Sequence, residues 1–151
     1  MKPLIILILV FGIALLSVKT ISGNYDPAFS ARIAMSAMLL FTAIAHFAFS
    51  KGMEMMLPGF IPAKKAVVYF TGLIEIAAAI GLQVSNLITT TGWLLILFFI
   101  LILPANIYAT IKKVDYQKAT TEGAGKKYLW FRIPLQIFFI AWIYFSAIDY
   151  H

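Results

Sequence analysis

The chain contains no cysteine. That excludes intramembrane dithiol chemistry, C-x-x-C-H haem attachment and thiolate metal sites, and it leaves any redox role to a bound cofactor or a partner. Charge is scarce as well: Asp, Glu, Lys and Arg make up 12% of the 151 residues, against roughly 25% in soluble domains. Long polar segments are few, so there is no room for a sizeable soluble domain. What fills the chain instead is apolar, with 62% hydrophobic residues and a mean hydropathy of +0.94. Such a composition belongs to a membrane protein whose immediate partner is the lipid bilayer.

Five apolar stretches fall at about 3–18, 29–49, 65–82, 87–111 and 128–148. A helix needs about 20 residues to cross the hydrocarbon, so the expected fold is all-α: one polytopic bundle of transmembrane helices over residues 1–151. Lys2 ahead of a short apolar core imitates a signal peptide, but Leu16-Ser17-Val18-Lys19 offers no A-x-A cleavage site, and an uncleaved helix is expected. Ser50–Lys64 contains Pro58, Pro62 and three methionines, which predicts an interfacial turn at headgroup level. Lys112–Lys127 is polar, basic and contains glycine, which predicts a mobile loop. Ser30 with Ala34 and Ala77 with Gly81 have the spacing of close helix contacts. Trp93, Trp130 and Trp142 fall toward helix ends, as interfacial anchors do. No internal repeat suggests an inverted transporter pair.

The net charge is +6. The lysines that produce it crowd into loops, so topology accounts for them and no nucleic-acid partner is expected. One side collects Lys2, Lys51, Lys64, Lys65, Lys112, Lys113, Lys118, Lys126 and Lys127, while the other keeps Lys19 and Arg32. The crowded side is expected to be cytoplasmic, with the amino terminus inside and the carboxyl terminus outside. Lysines of the 112–127 loop either serve topology alone or also hold anionic lipid headgroups. Arg32 reads as an anchor on the outer side.

Against this background Glu75 stands out. It lies near the middle of the third apolar stretch, where a charge costs at least about 2.5 kcal/mol and usually faces a polar interior. Counting about 1.5 Å per residue along each helix, His46, Tyr69, Asn106, Arg132 and Gln136 fall in the same half of the membrane. These six residues are the candidates for ligand binding or proton handling. Each has a structural alternative. Glu75 either serves a site or locks helices together by pairing with Arg132 or His46. His46 titrates in the neutral range and either exchanges a proton with Glu75 or is a satisfied structural residue. Arg132 either pairs with Glu75, holds an anionic headgroup, or snorkels to the interface. Asn106 either binds a ligand or satisfies backbone groups freed by Pro104, which interrupts a helix interior. Pro134 is placed in the first turns of the last helix, where it is cheap. No metal site is expected, and a single intramembrane histidine cannot supply bis-His haem ligation because His151 is expected on the opposite face.

Several of these residues recur in separated motifs: Arg32, His46-Phe47, Leu57-Pro58-Gly59-Phe60-Ile61-Pro62, Val68-Tyr69-Phe70-Thr71-Gly72-Leu73-Ile74-Glu75, Leu103-Pro104-Ala105-Asn106-Ile107-Tyr108 and Phe131-Arg132-Ile133-Pro134-Leu135-Gln136. In this order, over about residues 29–144, the chain resembles the DoxX-like family of small bacterial membrane proteins. The resemblance implies a four-helix core, preceded here by the short first helix, in the bacterial cytoplasmic (inner) membrane. It also implies a role as a redox-linked accessory or quinone-binding subunit of a membrane oxidoreductase. No cofactor is required by the sequence itself, and a quinone is the one this reading allows. The other functions left open are a non-catalytic assembly factor or scaffold and a carrier of a small lipid-like molecule. No nucleophile–base set, phosphate loop or metal motif marks an independent enzyme.

Overall fold

The computed structural model describes residues 2–150, the side chain of Lys126 excepted. Within it the chain folds as helices α1 (Lys2–Ser22), α2 (Pro27–Ala48), α3 (Ser50–Glu54), α4 (Lys64–Gly81), α5 (Ile88–Ile111) and α6 (Leu129–Ile143). Short 3-10 turns precede α5 and α6, and a π turn at Tyr144–Ile148 prolongs the last helix. His151, expected on the opposite face from His46, lies outside the described residues.

Helix boundaries follow local chemistry. Gly23 takes a positive φ of 78° just past α1 and donates its N–H to the carbonyl of Lys19, the usual way a glycine closes a helix. Asp26 caps α2 by accepting the N–H of Phe29 at 2.9 Å, and Pro27 occupies the first turn. Pro134 lies past the first turn of α6 rather than at its start, so the carbonyl of Trp130 loses its helical donor. Its placement is less cheap than the sequence suggests.

Four segments are long and apolar enough to cross a membrane: Lys2–Ser22, Pro27–Ala48, Ser85–Ile111 and Leu129–Ile148. This is an all-helical membrane protein among its described residues. Helix α4 forms over the expected stretch, but it carries Lys64, Lys65 and Glu75 and falls outside that set. Helix α2 is the central element. Half of its apolar window is buried inside the protein, against 11% for α1. It packs on α1 along one flank and on α4 along another, while α5 and α6 form the neighbouring pair. The tightest core contains Leu7, Met35, Met38, Leu39, Leu82, Leu95 and Ile143.

Small residues bring the helices together, though not all the expected ones. Ser30 and Ala34 are fully buried, whereas Ala77 faces outward and Gly81 alone meets α5, against Thr91. Two tryptophans, Trp93 and Trp130, are exposed as anchors should be. Trp142 instead works inside the bundle: its ring lies 5.1 Å from that of Phe11 and its N–H reaches the carbonyl of Ala31 at 3.1 Å. Arg32 also departs from expectation. It is only 8% exposed and donates to the carbonyl of Ser146 at 2.9 Å, a group in the π turn. A guanidinium with five donors can tie two helices together where an interfacial anchor would reach outward.

The 112–127 connection is folded rather than loose. Asp115 and Thr120 exchange backbone hydrogen bonds, and Asp115 Oδ1 also accepts the N–H of Gln117 at 3.0 Å. The Ser50–Lys64 connection is the broken turn expected, with Lys64 donating to the carbonyl of Leu57 at 3.0 Å. These two connections meet where Gly52 packs against the backbone of Tyr116.

Candidate ligand site within the helix bundle

Helix α4 turns Val68, Gly72, Glu75, Ala79 and Leu82 toward the rest of the bundle. Their spacing of three and four residues defines one helix face, and that face carries Glu75 inward. Gly72 lets α2 approach closely, since a Cβ there would meet the Cβ of His46 at 2.9 Å. The two helices therefore hold His46 and Glu75 side by side, with Nε2 of the imidazole 3.6 Å from Glu75 Oε1. Among the described residues this is the one ion pair.

The imidazole is held from behind. Its Nδ1 lies 2.9 Å from the carbonyl of Val68 and 3.0 Å from Thr71 Oγ1. The Thr71 hydroxyl donates to that same carbonyl at 2.8 Å, so its proton is spent and its lone pair faces Nδ1. Both neighbours of Nδ1 are thus acceptors, which assigns the Nδ1–H tautomer. Nε2 is left to face the carboxyl group. The second carboxyl oxygen, Oε2, is buried and meets no hydrogen-bond donor among the described residues.

Glu75 does not pair with Arg132. The guanidinium instead donates to Asn106 Oδ1 at 2.7 Å, linking α6 to α5. Asn106 is therefore engaged by its side chain with Arg132 and leaves the proline-broken helix to another residue. Pro104 deprives the carbonyl of Ile100 of its helical donor, and Gln136 reaches the adjacent carbonyl, that of Phe99, at 2.8 Å. Tyr69 points elsewhere. It stacks on Phe47 with ring centroids 5.4 Å apart and lies under Lys65.

The five remaining candidates, His46, Glu75, Asn106, Arg132 and Gln136, line a single cavity of about 250 Å³. Its walls are apolar, with Phe98, Phe99 and Phe139 among them, and Tyr116, Met53 and Met56 from the two folded connections also contribute to the lining. A few polar groups in an apolar enclosure are the usual make-up of a small-molecule site. An engineered cavity of about 150 Å³ holds benzene, so this one has room for roughly ten non-hydrogen atoms. A ring-sized head group fits, and a whole lipid does not.

Residues 35–147 match the family described as a domain of unknown function (DUF8561). The chain belongs to that family. The match takes in all five cavity-lining candidates and leaves out α1. No curated protein and no solved structure matches the chain.

Reading the sequence alone misses Thr71 and Gly72, which set the imidazole, and Tyr116, which joins the cavity wall from a connection. Thr71 was accessible in principle: it lies four residues before Glu75, on the same helix face. Tyr116 belongs to a segment without periodicity and carries no such signal.

Proposed function

We propose that this protein is a DoxX-like, redox-linked accessory subunit of a membrane oxidoreductase that binds a quinone head group at Glu75. The observation that carries the reading is the 250 Å³ cavity lined by Glu75, whose Oε2 is buried and without a donor among the described residues. A carboxyl oxygen kept from both water and protein donors is a poor structural device, because an unsatisfied buried group costs about 1–3 kcal/mol or more. It is a good recognition device when a ligand supplies the partner. The aromatic walls suit a planar ring, and the His46–Glu75 pair supplies a group able to hold or release one proton. A carrier of another small lipid-like molecule would use the same cavity with a different occupant.

The proposed topology has five spans. At about 1.5 Å per residue the 18 residues of α4 cover about 27 Å, close to the hydrocarbon thickness. Lys64 and Lys65 then stand at the cytoplasmic end of α4, and Glu75 faces protein rather than lipid. The bacterial cytoplasmic membrane, with the amino terminus inside, is the location this charge distribution favours.

A scaffold reading draws on different contacts. Arg132–Asn106 and Gln136–Phe99 bind α5 to α6 through side chains, as an assembly protein would need. These bonds leave the Glu75 oxygen unexplained, which ranks the scaffold second.

The test is organic extraction of protein purified in mild detergent, wild type beside Ala105→Phe, which fills the cavity wall. A quinone recovered with wild type and depleted from folded Ala105→Phe protein supports the reading. Equal recovery from both, or none from either, contradicts it.

A further inference from the structure

We propose that the site takes a neutral head group that donates a hydroxyl hydrogen bond to Glu75 Oε2, a phenol or hydroquinone in preference to a dicarbonyl quinone. This rests on the reading of the cavity as a ligand site and specifies the ligand's chemistry. Three features of the site carry it.

The first is the direction of the available hydrogen bonds. Nδ1 of His46 is committed to Val68 and Thr71, and the Thr71 hydroxyl is committed to Val68. Nε2 of His46 faces Oε1, 3.6 Å away. Oε2 is then an acceptor with no donor among the described residues, at a residue 95% buried. A carbonyl-only ligand would set a second acceptor against it. A hydroxyl satisfies it.

The second is the charge of the cavity. Arg132 lines it; its guanidinium donates to the neutral Asn106 and lies 6.0 Å from the Tyr128 ring, with no carboxylate in ion-pair contact among the described residues. An uncompensated guanidinium disfavours a cationic donor such as an amine, and it offers N–H groups to an oxygen on the ligand. A head group bearing a hydroxyl and a further oxygen answers both groups.

The third is size. Room for roughly ten non-hydrogen atoms suits one substituted ring, and the phenylalanine walls provide faces for it to pack on.

The experiment is an equilibrium titration of the full-length protein in detergent, under anaerobic conditions. Its probes are trimethylhydroquinone, trimethylbenzoquinone and the dimethyl ether of the hydroquinone, which has the ring but no donor. A hydrogen bond that only the hydroquinone can donate predicts that it binds at least about tenfold more tightly than either of the others. In Glu75→Gln the amide can donate to a carbonyl as well as accept, and the preference should shrink to about twofold or reverse. Equal affinities for hydroquinone and benzoquinone in wild type would overturn this inference while leaving the cavity as a quinone site. Binding of none of the three would overturn both. A full preference persisting in folded Glu75→Gln would overturn the assignment to Glu75, and the wild-type comparison stands by itself if that variant does not fold.

Discussion

A Cβ on Gly72 would stand 2.9 Å from the Cβ of His46, too close for either helix to keep its place. Gly72→Ala is therefore expected to push α2 from α4 and to lower stability by about 1–3 kcal/mol, the usual range for overpacking. Gly12 has nothing within 4 Å of its hypothetical Cβ, so Gly12→Ala should be neutral. Thermal unfolding of both variants in detergent checks the contrast.

The His46–Glu75 pair predicts non-additivity. His46→Ala removes the imidazole that faces Oε1 of the buried acid, whereas in the Glu75→Gln background the same substitution strands no acid. A double-mutant cycle should give a coupling in the range of about 0.5–3 kcal/mol. A coupling of zero would mean that the 3.6 Å approach contributes nothing.

Much of this arrangement was legible in the sequence, and for physical reasons. Glu75 declared itself because a carboxyl group in an apolar helix must find a polar surrounding; the helix face it shares with Val68, Gly72 and Ala79 came from the structure. The helices followed from runs of apolar residues whose length matches a bilayer. Partner choice was not legible. Whether Glu75 would meet His46 or Arg132 depends on helix rotation, which apolar periodicity leaves loose in α5, where almost every position is apolar. Arg32 was misplaced for a related reason: its partner is a carbonyl exposed by the π turn at Tyr144–Ile148, and a π turn has no simple sequence signature. The order in the 112–127 connection depends on Asp115, whose turn-forming hydrogen bonds are a local signal outweighed by the surrounding glycines and lysines.

Gln136→Leu should destabilise the protein by about 0.6–2 kcal/mol, the range of side-chain hydrogen bonds between membrane helices, because the bond tying α6 to the carbonyl of Phe99 in α5 is lost. Pro104→Ala returns a donor to the carbonyl of Ile100, a different group, so it should not recover that loss. Unfolding measurements on the two single variants and the double variant decide it. Recovery in the Pro104→Ala background would show instead that Gln136 compensates for the broken helix.

Gly52 packs directly on the backbone of Tyr116. Gly52→Val is expected to separate the two connections, and limited trypsin digestion should then cut faster at Lys113 and Lys118. An unchanged digestion rate would show that the 112–127 connection holds its fold without this contact.

The central claim is that the cavity at Glu75 binds a quinone-type head group. Its most direct measurement is thermal stability of the purified protein in detergent, with and without ubiquinone and menaquinone analogues, for wild type, Glu75→Gln and His46→Ala. Ligand present at 100 times its dissociation constant stabilises a folded state by about 2.7 kcal/mol, a shift readily resolved. The account predicts stabilisation of wild type that both substitutions abolish while the variants remain folded. No shift with any of these analogues in oxidised or reduced form, together with variants that are destabilised without ligand, would contradict it and leave the cluster as a structural link between helices.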